Sequence, residues 1–381
     1  MFSVTAPLQE RYRKERLMPD KRIENLNVYS EDLLETPEEV KRQHPSTERA
    51  VRTVQEGQST IKSILGRRDH RLFVVVGPCS IHDVESAREY GEKLYHLGQE
   101  VKDTLYLVMR VYFEKPRTRI GWQGLINDPR LDGSGRIGEG LHLARSFLVK
   151  LADMGLPAAG EALDLVSPQY VQDLFSWTAI GARTTESQTH RKMASGFSSA
   201  VGFKNGTSGS LTVAINAMLS AAKPSCFLSV HPNGHVAVVR TRGNENTHIV
   251  LRGGGNRPNY DCSSIRQCEE LLAAAGLPQN IMVDCSHANS GKNPRRQIEV
   301  LSDVTKQIRN GCESIIGIML EGNLAAGRQD IQSDRRKLKY GVSITDACID
   351  WATTRTAILS LRENLETILP QRLNKTTAIG V

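Results

Sequence analysis

Eight short apolar runs in this chain each give way to a residue able to bind or react: Cys79, Arg110, Glu161, Arg183, Lys204, Arg252, His287 and Glu321. Isolated charges are costly to bury without ligands, so polar groups repeated at the ends of apolar segments point to a site. Two chemistries separate within the set. Arg110, Arg183, Lys204 and Arg252 are fixed cations, and guanidinium forks match phosphate and carboxylate oxygens two at a time, so their ligand should be strongly anionic. Just beyond the second run, the segment FEKPRT adds Lys115, Arg117 and Thr118, enough for a second phosphate. Cys79, His287 and Glu321, with Asp346 in the loop after the last run, offer one thiolate, one imidazole and two carboxylates. That mixed donor set suits a divalent transition metal better than Mg2+ or Ca2+. Taken singly, each residue has a plainer reading as an Arg paired with a buried acid, a packed core Cys or a satisfied core His. Their common position sets them apart.

The elements that must position them follow from the runs themselves: Leu72 to Gly77, Leu105 to Val111, Pro157 to Ala162, Ala179 to Arg183, Ala200 to Lys204, His248 to Arg252, Ile281 to Cys285 and Ile315 to Glu321. Short β-branched runs separated by longer helical segments mark β/α alternation and a parallel sheet. Eight of them predict an α/β fold, a (β/α)8 TIM barrel, in which functional groups belong at the C-terminal ends of the strands. One interval breaks the rhythm. Between the fifth and sixth runs, CFLSV, HPNGH and VAVVRT predict an inserted β-hairpin at about 224–246. Residues 1–66 are charged and poor in apolar runs and form an N-terminal extension for regulation or oligomer contacts, leaving 67–381 as the catalytic barrel. Within the extension Thr36-Pro37-Glu38-Glu39 predicts a helix start, with Thr as cap and Pro at the first helical position.

Composition narrows the function classes. The chain has 381 residues, 39% hydrophobic and 24% charged, and no apolar stretch approaches the ~20 residues of a membrane span. Seven cysteines without a C-x-x-C pair fit free thiols in a reducing compartment, and Arg11, Arg13, Lys14 and Arg16 interrupt any signal-peptide core, so a cytoplasmic location is expected. The net charge of +7 fits an anionic small molecule or nucleic acid, and clustering of the cations at strand ends favours the former. A literal G-x-G-x-x-G at Gly133 to Gly138 follows the turn-like NDPRLD rather than a strand, so the dinucleotide-binding context is missing.

Long blocks of the chain resemble a known family. VVVGPCSIHD from Val74, VMRVYFEKPRT from Val108, GWQGLINDP from Gly121, SWTAIGARTTESQTHR from Ser176, VGFKNGT from Val201, IVLRGG from Ile249, VDCSHANS from Val283 and SITDACI from Ser343 are similar to class I 3-deoxy-D-arabino-heptulosonate-7-phosphate (DAHP) synthases. The resemblance spans about residues 20 to 360. It implies a metal-dependent condensation of phosphoenolpyruvate with D-erythrose 4-phosphate and water, giving the heptulosonate phosphate and inorganic phosphate. This is the first step of the shikimate pathway to aromatic amino acids.

Carried over position by position, the resemblance implies a metal held by Cys79, His287, Glu321 and Asp346, its identity open among Mn, Fe, Co and Zn. Phosphoenolpyruvate would lie on Arg110, Arg183, Lys204 and Arg252 with a backbone amide from Ala182, and erythrose 4-phosphate on Lys115, Pro116, Arg117 and Thr118. Lys115, Glu161 and His287 would be the catalytic residues, Glu161 helping to position the water. An aromatic amino acid would be the effector, bound by Pro168, Gln169, Phe227 and Ser229, with Val239 and Asp20 as further positions; Ser at 229 favours Phe or Trp over Tyr. A homodimer or homotetramer is implied, with no nucleic-acid or membrane partner. The family often has other residues where this chain has Arg119, Gln123, Ser199-Ala200 and Gly322, none of them a presumed ligand. Two rivals stand beside this reading: the related synthase that uses arabinose 5-phosphate, and a metabolite-sensing barrel without catalysis. Against the first stand KPRT and the extension, and against the second the four retained metal donors.

Overall fold

Phe73 and Val75 alternate with Val74 and Val76 along a run with no polar side chain, and a strand with both faces covered needs that pattern. In the computed structural model, which describes residues 23–117, 121–332 and 334–373, this run is β1, Leu72–Gly77. It is followed by β2 (Leu105–Arg110), β3 (Ala158–Glu161), β4 (Trp177–Ile180), β5 (Ala200–Lys204), β6 (Cys226–Val230), β7 (Val236–Arg240), β8 (Thr247–Leu251), β9 (Ile281–Asp284) and β10 (Ile315–Glu321). Eight of them close into a barrel in the order β1-β10-β9-β8-β5-β4-β3-β2, every pairing parallel, and helices intervene in the chain between successive barrel strands. The fold is the expected (β/α)8 barrel.

The inserted hairpin is formed by β6 and β7, antiparallel with Phe227 opposite Val239 and Ser229 opposite Ala237. It stands outside the barrel, because β5 pairs directly with β8. One run was set too far along the chain. The fourth strand is Trp177–Ile180, not Ala179 to Arg183, because the backbone turns at Gly181, whose carbonyl accepts from the Thr184 and Thr185 amides. Arg183 therefore sits in the turn after the strand.

The alternation divides the core. Phe73, Val75, Val108, Ala159, Trp177, Ala179, Val250, Met282 and Met319 fill the barrel, whereas Val74, Val76, Leu107, Met109 and Leu251 belong to the cluster shared with the surrounding helices. Ile61, Ile64 and Leu65 of the helix Glu48–Leu65 join the interior cluster, and the Leu65 carbonyl accepts from Asn280 just before β9, so this helix plugs the end where the strands begin. His248 is part of the same dry interior. Its Nε2 accepts from Trp177 Nε1 at 2.8 Å, and burial pushes its pKa down to about 4, which makes it a neutral structural group.

The chain divides into two compact units, Met1–Glu35 and Thr36–Val381. Residues 23–35 of the first are turns and irregular chain. The second opens with the capped helix Pro37–Gln43, where the Thr36 hydroxyl accepts from the Glu39 amide and the Glu39 carboxylate accepts from the Thr36 amide. No helix among the described residues is long and apolar enough to cross a membrane.

Candidate active site

Because successive side chains on a strand alternate, the residue two beyond an inward core residue also faces the barrel interior. Val108 is followed by Arg110, Ala159 by Glu161, Gly202 by Lys204, Val250 by Arg252, Met282 by Asp284 and Met319 by Glu321. Six chemically active groups are thereby aimed at one mouth by the same periodicity that fills the core beneath them.

A cavity of about 540 Å3 opens at this end. Arg110, Ala182, Arg183, Lys204 and Arg252 line it together with Lys115, Pro116, Arg117, Glu161, His287 and Asp346. Thr118 and Asp20 lie outside the described residues. Arg110 is buried, donates to Glu321 Oε1 at 2.9 Å and to the Pro78 and Cys79 carbonyls, and lies with its guanidinium carbon 3.5 Å from the centre of the Tyr112 ring. Stacked and hydrogen-bonded in this way, it has few alternative rotamers, so the site is organised before any ligand arrives. Burial pulls the Arg252 pKa down and the neighbouring Arg183 adds to the effect, although Asp284 opposes it. An anion between these cations relieves their mutual repulsion.

Glu161 faces the mouth past Gly181. A Cβ at that position would meet Glu161 Oε1 at 2.2 Å, so a side chain there would displace the carboxylate.

Beneath the cations, Cys79 Sγ, a Glu321 carboxylate oxygen and an Asp346 carboxylate oxygen lie within 4.8 Å of one another, and His287 Nε2 is 3.9 Å from Glu321 Oε1. Burial, followed by the Glu321 carboxylate, pushes the Cys79 thiol up. Burial would also raise Asp346, but Lys115, His287, Lys292 and Arg117 hold it below the usual carboxylate range. The Lys115 ammonium, 3.1 Å from Cys79 Sγ, brings positive charge to a cluster that would otherwise be strongly anionic. One sulfur, two carboxylates and an imidazole nitrogen around such a focus fit a borderline divalent metal, whose charge would make the thiolate the stable form.

A model of the DAHP synthetase I family matches residues 47–358. The chain belongs to the DAHP synthetase I family. Among its relatives, the Tyr-sensitive phospho-2-dehydro-3-deoxyheptonate aldolase of Escherichia coli is 51% identical over 351 residues, covering 92% of this chain and 98% of that protein. The Phe-sensitive aldolase of the same organism is 54% identical over 310 residues, 81% of this chain and 88% of that protein. A solved phospho-2-dehydro-3-deoxyheptonate aldolase from Francisella tularensis superposes with a TM-score of 0.87 at 44% identity, over 89% of this chain and 99% of that one.

In this DAHP synthetase I chain the residues singled out for phosphoenolpyruvate and the metal converge, Cys79 and Glu321 being buried and the others lining the cavity. The positions that the resemblance gives to an effector do not line this cavity. Gln169 Nε2 donates to Ser229 Oγ at 3.2 Å, Pro168 opens the short helix Pro168–Val171, and Phe227 packs against the core from the hairpin. The turn of that hairpin meets the start of the helix Pro37–Gln43, where the Glu38 amide donates to the Pro232 carbonyl at 2.8 Å.

Sequence reasoning passed over Asp284, Tyr112, Asn205 and Lys292. Asp284 ends the strand one place before Cys285, the last residue of the apolar run, and its spacing from Met282 marks it as inward-facing. Asn205 directly follows Lys204, and its Oδ1 accepts from the Arg252 amide at 2.9 Å, a link between two strands that no local motif encodes. Lys292 lines the cavity from a loop in which both it and His287 adopt left-handed backbone, φ +61 and +57.

Proposed function

We propose that the mouth of this barrel performs the family's condensation with Arg110, Arg183, Lys204 and Arg252 on phosphoenolpyruvate, and Lys115, Pro116, Arg117 and Thr118 on erythrose 4-phosphate. The chain is an enzyme of the transferase class, a 3-deoxy-7-phosphoheptulonate synthase, and its reaction opens the shikimate pathway. The observation that carries the residue assignment is the convergence of four fixed cations on one cavity, beside the Cys79–Glu321–Asp346 cluster.

Two anionic substrates repel each other, so the cations neutralise as well as orient them. The enol carbon of phosphoenolpyruvate attacks the aldehyde carbon of the aldose, forming the new C–C bond, and the Lys115 ammonium gives a proton to the resulting alkoxide. Positive charge at the adjacent carbon is met by a water that Glu161 orients and deprotonates; the hydroxyl of the resulting hemiketal phosphate then collapses to the ketone as the C–O bond to phosphate breaks, and its proton leaves with the inorganic phosphate. Cys79, His287, Glu321 and Asp346 would hold the divalent metal, which when bound supplies Lewis acidity toward the aldehyde. The decisive assay is product formation from phosphoenolpyruvate with erythrose 4-phosphate or arabinose 5-phosphate, with and without chelator. Turnover should require erythrose 4-phosphate, stop with chelator and return on adding Mn2+, Co2+ or Zn2+; turnover unaffected by chelator would refute the metal assignment.

Control by an aromatic amino acid is part of the proposal, supported by the Gln169–Ser229 contact and by relatives named for sensitivity to Tyr or Phe. Ser229 leans the choice toward Phe or Trp. Ser229→Gly, which removes the acceptor from Gln169, should change the inhibition constant for the effector about tenfold or switch its identity, with substrate kinetics nearly unchanged, since two separate sites are coupled. An inhibition profile across Phe, Tyr and Trp identical to that of the unaltered chain would make Ser229 an ordinary strand residue. The exposed Leu228, Val236 and Val238 of the hairpin support a homodimer or homotetramer, with the extension 1–66 contributing to control and assembly. Seven free cysteines support a cytoplasmic setting.

A further inference from the structure

We infer that Asp284 is a positioning residue that ties the phosphoenolpyruvate half of the site to the metal half, one of its carboxylate oxygens holding Lys204 and His287 at once; this rests on the reading of the barrel mouth just given. Asp284 is fully buried at the end of β9. Its Oδ2 accepts from Lys204 Nζ at 2.9 Å and lies 2.9 Å from His287 Nδ1. Its Oδ1 accepts from the Ser286 amide at 3.0 Å and from the Ser286 hydroxyl at 2.7 Å.

These contacts dictate the histidine tautomer. The Ser286 hydroxyl spends its single hydrogen on Asp284 Oδ1, so toward His287 Nδ1, 2.7 Å away, it acts only as acceptor. Both neighbours of Nδ1 are therefore acceptors and Nδ1 carries the proton. In the neutral imidazole the lone pair is then on Nε2, the nitrogen facing Glu321. The backbone of His287 is left-handed, and its ring lies between Asp284, 2.9 Å from Nδ1, and Glu321, 3.9 Å from Nε2. A ligand that draws Lys204 away from Oδ2 leaves that oxygen to the His287 imidazole among the described residues. Phosphoenolpyruvate and metal are thus coupled through one atom.

Asp284→Ala in the full-length chain tests this. The methyl group accepts from neither Lys204 nor His287, whereas an Asn amide could turn its oxygen toward both and keep the contact. Two constants are to be measured: phosphoenolpyruvate affinity by calorimetry on metal-free protein, and Zn2+ affinity by chelator competition. Both should weaken about tenfold or more, the loss that follows removal of a group orienting a metal ligand. A variant with a lowered melting temperature but both constants within about twofold of the unaltered chain would reduce Asp284 to a structural prop. A change in one constant alone would overturn the coupling.

The unaltered chain gives a second measurement should the variant not fold. With 15N-labelled histidine in the metal-free protein, His287 should carry its proton on Nδ1, and adding phosphoenolpyruvate should shift that resonance. The opposite tautomer, or a resonance that phosphoenolpyruvate leaves in place, overturns the proposal. An unaltered chain that binds no phosphoenolpyruvate at all would refute the reading of the mouth and this inference with it, an outcome distinct from normal binding by both proteins.

Discussion

Cys79→Ser is expected to lower metal-dependent turnover at least about a hundredfold, the upper end of what removing even a supporting partner of a metal ligand costs. The thiol sits fully buried among Glu321, Asp346 and Lys115. A neutral hydroxyl is a far poorer donor to a borderline divalent metal than a thiolate, and the shorter side chain also draws the donor atom back from the cluster. Metal content at fixed free metal, turnover and melting temperature should be measured on one preparation. A folded variant with near-normal metal content and turnover would make Cys79 a packed core residue and remove it from the ligand set.

Arg252→Ala should weaken phosphoenolpyruvate binding by about 2–4 kcal/mol, the loss of a charge-assisted, two-pronged contact inside a site shielded from water. That corresponds to a rise of roughly thirtyfold to a thousandfold in the dissociation constant. The backbone of Arg252 is pinned by Asn205, so truncating the side chain should remove the guanidinium without moving the strand end. Affinity for erythrose 4-phosphate, which is assigned to the KPRT side of the mouth, should change much less. Equal losses for the two substrates would show that Arg252 serves both, and the division of the cavity between them would have to be redrawn.

The hairpin is legible because two strand-like runs flank Pro232-Asn233-Gly234, and the turn closes there with Gly234 at φ +87. The barrel was legible for a similar reason: each strand's apolar run must cover both faces, so eight such runs stand out from the amphipathic helices between them. Arg110, Glu161, Lys204 and Glu321 end four of those strands, and Arg252 directly follows a fifth, so the chain order alone marked them as facing one mouth.

Other features depend on which strands become neighbours. Nothing local relates Lys204 to Asp284, 80 positions apart, or Cys79 to Asp346, 267 positions apart; barrel closure and the loop after β10 bring them within reach. Apolar character through Ala179 and Ile180 predicts that the strand runs on to Arg183, whereas the turn at Gly181 is set by hydrogen bonds from Thr184 and Thr185. Alternation along a strand is a property of the chain, so the kinds of group available and the face each presents follow from residue order. The tertiary structure alone decided which groups share an atom. One oxygen of Asp284 serves both Lys204 and His287, because a buried carboxylate must be satisfied by whatever donors the closed barrel brings to it.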